Sequence, residues 1–159
     1  MPRPDPLASV RALVRRDRFA ARQGIRLVEV REGYARATMR LGPGHLNGVG
    51  VAQGGAIFTL ADLAFAACCN SHGTVAVALD VSITFARAAV KGTLTAEARE
   101  ISVSRRVSVC DVRVTGASGA LVASFKGTAF RKEEQATEAL ARTTPRRRRP
   151  SHGSAGPGG

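Results

Sequence analysis

The hydrophobic pattern begins with an amphipathic segment and continues as two short apolar runs. In residues 7–19 apolar side chains recur at helical spacing, arginines cover the other side, and Gly24 stands where a C-terminal cap belongs. This pattern predicts an amphipathic helix with a basic outer face. Residues 25–30 and 35–41 are separated by Gly33 and predict two strands joined by a tight turn.

A continuous apolar segment and four alternating runs make up the rest of the core. From Gly54 to about Ser71 nearly every residue is apolar or small, which at ~1.5 Å per residue predicts a helix of roughly 27 Å. Such a helix must be covered by other structure. Residues 75–85, 93–103, 107–115 and 120–131 read as strands joined by short links. The expected fold class is α+β, an antiparallel sheet wrapped around one long central helix.

Length and composition predict one domain followed by a tail. The 159 residues suffice for a single core, which we place in residues 1–134. Residues 135–159 form a basic tail rich in Pro, Gly and Ser, predicted to be disordered. The longest mostly apolar stretch, residues 56–69, is shorter than the ~20 residues of a membrane span. With no apolar signal-like run near the N-terminus, we expect a cytoplasmic protein without a membrane partner.

Charge and cysteine content narrow the classes of partner. The net charge is +12, and the tail contains the run Arg146–Arg149. No aromatic residue interleaves that run as base stacking would require, so a nucleic acid is not the expected partner. Three cysteines cannot form a closed disulfide framework, and the cysteines and histidines lack zinc spacing. We therefore expect buried reduced thiols and no metal.

Asp62 is the residue most indicative of chemistry. It is the only charged group between Gly54 and Ser71, in the middle of a helix that should be enclosed. A carboxylate there costs several kcal/mol unless it is paired or lies in a solvated cavity. It is therefore either a functional group or a structural one, satisfied by a hydroxyl such as that of Thr59 or by an arginine from the sheet.

The glycines before the helix form the second candidate feature. The sequence Gln53-Gly54-Gly55 places unpaired N–H groups and the positive end of the helix dipole beside residues without side chains. This is either an oxyanion site or a sharp turn into the helix. Gly54 and Asp62 are separated by about 12 Å along one helix axis, so they cannot contact the same carbon. If both act, the helix of a second subunit lies alongside, which predicts an obligate dimer with two shared sites.

Several spaced motifs resemble a known family. The segments are His45-Leu46-Asn47-Gly48, Gln53-Gly54-Gly55, Phe58-Thr59-Leu60-Ala61-Asp62, Cys69-Asn70-Ser71 and Val77-Ala78-Leu79-Asp80. In this order they closely resemble hotdog-fold acyl-CoA thioesterases of the PaaI (phenylacetic acid degradation) type, over residues 10–131. The resemblance implies the hotdog fold, which agrees with the element order predicted above.

The resemblance also implies a role for each site residue. Asp62 would be the catalytic carboxylate, acting as nucleophile or as base for water, and the Gly54 N–H would polarise the thioester carbonyl. Asn47 would help hold the attacking water or the carboxylate. Gln53 stands where the family usually has histidine; its amide can donate a hydrogen bond but cannot carry a proton or a charge.

Coenzyme A would be the leaving group, as part of the substrate, and no separate cofactor is implied. Its phosphates would meet basic surface residues, for which Arg105 and Arg106 at a hairpin tip are candidates. The leading hypothesis is a thioesterase for aryl- or medium-chain acyl-CoA, assembled as a dimer or a dimer of dimers. The alternatives are a catalytically silent acyl-CoA-binding or regulatory protein, suggested by Gln53, and a nucleic-acid-binding protein, suggested by the basic tail. A dehydratase or another hotdog enzyme would be expected to have a catalytic histidine near the helix, where this chain has Gln53.

Overall fold

A computed structural model of the chain describes residues 6–142. The helices are α1 (Pro6–Arg15), α2 (Arg18–Arg22), α3 (Gly54–Cys69) and α4 (Ala136–Arg142), with 3₁₀ turns at Pro43–His45 and Asn70–His72. The strands are β1 (Arg26–Arg31), β2 (Tyr34–Arg40), β3 (Thr74–Phe85), β4 (Thr93–Val103), β5 (Val107–Thr115) and β6 (Leu121–Gln135).

The six strands form one antiparallel sheet in the order β1-β2-β4-β5-β6-β3, and α3 packs on its inner face. Strict alternation on the central strands turns small and branched side chains toward the helix, among them Ala96, Ala98, Val112 and Val114. The small residues let the sheet approach closely. This is the predicted α+β hotdog arrangement of a sheet curled around a central helix.

Aromatic side chains fill the space between α3 and β6. The rings of Phe58 and Phe65 each lie with their centroids 5.6 Å from that of Phe125. Gly127 makes room for them, since a Cβ at that position would lie 2.6 Å from Phe65 Cε2. The glycine within β6 is therefore required by close packing against the helix.

The N-terminal helix differs from the prediction because it is broken into α1 and α2. Asp17 adopts an extended conformation at the break, and its side chain accepts a hydrogen bond from the Ala20 N–H at 2.9 Å. An N-cap of this kind starts a new helix. The glycine that ends the helix, Gly24, and the tight turn at Gly33 are as predicted, and both residues have φ of +67°.

The folded part of the chain extends further than predicted. Strand β6 ends at Gln135, and α4 then packs on α1, with Arg16 Nη1 donating to Leu140 O at 2.7 Å. Ala136 is buried. The boundary that we placed at residue 134 therefore lies inside β6, because the segment after it has helix-forming residues and apolar anchors. Residues 143–159, with the Arg146–Arg149 run, lie outside the described residues.

By length and composition alone, the segment Gly54–His72 could cross a membrane, since its 19 residues have a mean hydropathy of 1.2. It is mostly buried against the sheet in this fold, and core helices of soluble proteins have the same character.

Strand β3 leaves an apolar edge uncovered. It pairs only with β6 among the described strands, so its other edge is unpaired there, and it carries three exposed apolar side chains, Val77, Leu79 and Phe85. Irregular pairing at two places along β3 interrupts the alternation of its faces. A long exposed apolar edge strand offers its backbone groups to another chain.

Candidate active site

The side chain of Gln53 caps the N-terminus of α3. Its Oε1 accepts hydrogen bonds from the N–H groups of Gly55 and, at 3.3 Å, Ala56. A Cβ at position 55 would lie 2.7 Å from this oxygen, so glycine there permits the cap. Because the cap requires an acceptor, the amide nitrogen Nε2 points the other way, and Gln53 remains exposed with a donor to spare.

The cap leaves one backbone N–H group unpaired at this end of the helix. The Gly54 N–H donates to no acceptor among the described residues, whereas the next two N–H groups are taken by Gln53. A Cβ at position 54 would lie 3.1 Å from Phe85 Cζ, so a side chain there would crowd the Phe85 ring beside this amide. The predicted anion site therefore has fewer hydrogen-bond donors than expected: one backbone N–H group and one side-chain amide.

Asn47 shapes the loop that precedes this helix. Its Oδ1 accepts hydrogen bonds from the N–H groups of Val49 and Val51 at 3.0 and 3.2 Å, and the residue is exposed. The Gln53 N–H donates to His45 O at 2.8 Å, which ties the loop to the start of α3. Asn47 thus lies in the loop that leads to Gln53 and Gly54, and its amide nitrogen has no hydrogen bond to a described residue.

His45 has a structural role in the same loop. Its Nδ1 accepts from the Gly42 N–H at 2.9 Å, and its Nε2 lies 2.9 Å from Gln23 O. A backbone carbonyl only accepts, so Nε2 carries the proton and the ring is a neutral tautomer. With both nitrogens engaged, His45 is not a general base in this arrangement.

Asp62 lies on a stripe of α3 that residues 6–142 leave uncovered. Gly55 and Ala66 on that stripe are exposed, and Thr59 and Asp62 are half-buried. The complete enclosure predicted for the helix is therefore not reached by the described part of the chain. Thr59 Oγ1 donates to Gly55 O at 2.7 Å rather than to the carboxylate. Within residues 6–142, Asp62 has no hydrogen bond or ion pair, so the structural explanation for it lacks a partner.

The Asp62 carboxylate opens into a cavity of about 130 Å³ between α3 and α1. The walls are mostly apolar and include Val10, Leu13, Val14 and Leu63. Asp17, from the break between α1 and α2, lines the same cavity. Burial, and secondarily the charge of Asp17, raise the pKa of Asp62 above its ordinary value.

A larger groove of about 490 Å³ adjoins the start of α3. It is lined by Gln53, Gly55 and Thr59 together with the rings of Phe19 and Phe58. Its volume lies within the range of ~300–1,000 Å³ typical of small-molecule sites. Sequence reasoning missed Asp17 and Phe19 as site residues. The available signal was that Asp17 is the only acid in the basic segment 7–23.

Arg105 and Arg106 lie away from these residues. The hairpin between β4 and β5 is at the end of the sheet near the C-terminus of α3, where the Arg131 N–H donates to Arg106 O. Both arginines contact Glu133 Oε1, at 3.6 and 3.0 Å. Their engagement of coenzyme A phosphates stays a prediction, and it requires that they leave or share Glu133.

The three cysteines are free and buried, as predicted. Cys110 Sγ lies 3.4 Å from Cys69 Sγ and 3.6 Å from Cys68 Sγ. Hydrogen bonding to Cys110 and burial raise the pKa of the Cys68 and Cys69 thiols. No group of three metal-ligating side chains is found in the described part of the chain.

Known proteins were compared with this chain by sequence. The family model described as the thioesterase superfamily matches residues 49–123, a span that includes Gln53, Gly54 and Asp62. The Escherichia coli acyl-coenzyme A thioesterase PaaI is 37% identical over 121 residues, which cover 76% of this chain and 86% of that protein.

Among solved structures, PaaI proteins and a protein with bound acetyl-CoA are similar to this chain. The E. coli PaaI protein from the phenylacetic acid degradation operon superposes with a TM-score of 0.79 at 33% identity, over 82% of this chain and 96% of its own. A mutant of the phenylacetic acid degradation protein PaaI from Thermus thermophilus gives 0.70 at 35% identity, over 73% and 100%. A Streptococcus mutans protein solved with acetyl-CoA gives 0.67 at 30% identity, over 70% and 90%.

Proposed function

The chain belongs to the thioesterase superfamily and is a thioester-hydrolysing enzyme, and on that premise we propose that its substrates are aryl- or medium-chain acyl-CoA thioesters. The groove of about 490 Å³ beside Gln53 is large enough for an aryl or medium-chain acyl group. Phe19 and Phe58 offer it two aromatic rings. The protein from E. coli named above is an acyl-CoA thioesterase, which supports coenzyme A as the leaving group.

The observation that carries the proposed mechanism is an unpaired, half-buried carboxylate on the open stripe of α3. In the water route, Asp62 accepts a proton as the water oxygen attacks the carbonyl carbon. The Gly54 N–H and the Gln53 amide donate to the oxyanion, which collapses and expels the coenzyme A thiolate. In the nucleophilic route the carboxylate attacks first and water cleaves the resulting anhydride. Asn47 holds the attacking water through its free amide nitrogen.

We propose that each site is shared between two copies of the chain. Gly54 and Asp62 are eight residues apart on α3, hence about 12 Å along its axis, so one chain cannot direct both at the same carbonyl carbon. The free edge of β3 and the uncovered stripe of α3 are the surfaces that a second copy would cover. An antiparallel partner helix would bring its own Asp62 near Gly54. Assembly of two such dimers stays a prediction.

The first experiment measures thiol release from a panel of aryl, short, medium and long acyl-CoA thioesters. Asp62→Asn should abolish nearly all turnover while leaving the fold and the assembly state unchanged. Asp111→Asn is the matched control, since it also removes one carboxylate but on the exposed outer face of β5. Native turnover by Asp62→Asn would refute the mechanism.

The shared site is tested by mixing two inactive variants. Asp62→Asn and Gln53→Glu chains, unfolded and refolded together, form mixed dimers in which one of the two sites keeps both native residues. About a quarter of native turnover per chain is expected to return for an isologous dimer with random pairing. If each chain holds a complete site, mixing restores nothing.

The second candidate is a silent acyl-CoA-binding protein, favoured by glutamine at position 53, which cannot carry a proton. Isothermal titration with a non-hydrolysable acyl-CoA analogue measures binding, and the thioester panel measures turnover. Binding without turnover of any panel member would select the binding protein.

A further inference from the structure

The acid at the break between α1 and α2 shares a cavity with the candidate catalytic carboxylate. Asp17 and Asp62 line the same cavity of about 130 Å³, although they are 45 positions apart in sequence. Asp17 is held in place because its Oδ1 caps α2 at the Ala20 N–H. Its second oxygen has no hydrogen bond to a described residue. The fold therefore fixes a second negative charge at the mouth of this cavity.

We propose that Asp17 is a positioning residue that sets the basicity of Asp62 through its charge, an inference that rests on the proposed function of Asp62. A neighbouring negative charge makes a carboxylate harder to ionise and therefore a better proton acceptor once it is ionised. The break between α1 and α2 therefore also places a negative charge in the cavity of Asp62. Asp17 does not touch the substrate in this arrangement.

Among the described residues that line the cavity, Asp17 is the only titratable side chain besides Asp62. The cavity walls from α1 and from the end of α3 are apolar apart from Asn70, which is uncharged and uses its amide for hydrogen bonds to Ala66 and Ala76. A second groove, which shares only Val14 and Leu63 with the cavity, is bordered by three arginines, Arg11, Arg15 and Arg26. Guanidinium groups stay charged throughout the relevant pH range, so they contribute a constant field.

The test uses Asp17→Asn, because an asparagine oxygen can still cap α2 while the charge is gone. The pH dependence of kcat/KM is measured with the best acyl-CoA of the panel, for the native enzyme, Asp17→Asn and Asp111→Asn. Because activity requires ionised Asp62, turnover falls as pH decreases through its pKa. Loss of the Asp17 charge should move this acid limb to lower pH and leave the plateau equal to or below the native one. Asp111→Asn should leave the limb in place.

Ionic strength separates a charge effect from a structural one. The Debye length falls from ~30 Å at ~0.01 M salt to ~3 Å at ~1 M, and Asp17 is exposed enough to be screened. The native and Asp17→Asn limbs should therefore be apart at low salt and converge at high salt. A merely structural role for Asp17 would not produce this convergence.

The outcomes distinguish this inference from the proposed function. If Asp62→Asn is inactive but the Asp17→Asn limb does not move at low salt, Asp17 does not tune the site, although the hydrolase mechanism stands. If Asp62→Asn keeps native turnover, both fail. An equal shift in Asp111→Asn would also overturn the inference, because it would reflect net charge alone. Asp17→Ala serves as a folding control and should lower the denaturation midpoint, which Asp17→Asn should preserve.

Discussion

Replacing Gln53 with glutamate is expected to preserve the stability of the fold and to slow thioester hydrolysis. A glutamate oxygen can accept the same two N–H groups of Gly55 and Ala56 that Gln53 Oε1 accepts. Its negative charge next to a helix N-terminus contributes about 0.3–1 kcal/mol of additional stability. The substitution removes the Nε2 donor and places a charge where the oxyanion would form at the Gly54 N–H.

The size of the activity loss follows from the removal of one of the two hydrogen-bond donors to the oxyanion. Removing one oxyanion donor costs ~10²–10³-fold in kcat, and the added charge makes the loss in Gln53→Glu at least that large. Gln53→Ala should lose activity to a similar extent, and it should also lose the cap, which costs about 1 kcal/mol of folding free energy. The two variants therefore agree in activity and differ in stability.

Both quantities are measurable on the same preparations. Turnover is followed by thiol release, and unfolding in urea is followed by far-UV circular dichroism, because the chain has no tryptophan and one tyrosine. Protein concentration must be held constant, since assembly contributes to apparent stability. Native turnover by Gln53→Glu would refute a role for the Nε2 donor. Unchanged stability in Gln53→Ala would refute the cap.

Four further predictions concern the core, the pH dependence of stability and the buried thiols. Gly127→Ala should destabilise the fold by ~1–3 kcal/mol, because the Phe65 ring must move; an unchanged denaturation midpoint would mean that the ring adapts without cost. Glu100→Ala removes the nearly buried hydrogen-bond partner of His72 Nε2, at 2.7 Å, and of Ser108 Oγ, and should cost about 1–3 kcal/mol as measured by urea unfolding; an unchanged midpoint would contradict this. Asp62→Asn should be at least as stable as the native chain at neutral pH. Burial raises the pKa of this carboxyl, so the native fold loses stability as pH rises through that pKa, whereas the amide does not, and a less stable variant would contradict this. The three buried thiols should react with a thiol reagent only after unfolding, and fast labelling of the folded protein would argue against their burial.

Much of the architecture is readable from local patterns. The alternation in residues 93–103 and 107–115 predicts β4 and β5 with the bounds observed, and the apolar run predicts α3 to within a few residues. Gly24 marks the end of a helix and Gly33 a turn, because their positive φ is strained for other residues. Asp62 stands out because a charge inside an apolar helix is costly. These signals depend on neighbours within one or two helical turns, or on a repeat along a single strand.

What surrounds the candidate site was decided by the tertiary structure. Asp17 and Asp62 share a cavity only because the helix breaks at Asp17 and α1 packs against α3. Glu133 meets Arg105 and Arg106 only through the pairing of β5 with β6. The sequence alone determined the elements and the residue types that could carry chemistry, since propensity and periodicity are local. The charges and cavities that tune those residues come from contacts between distant segments, which no local pattern encodes.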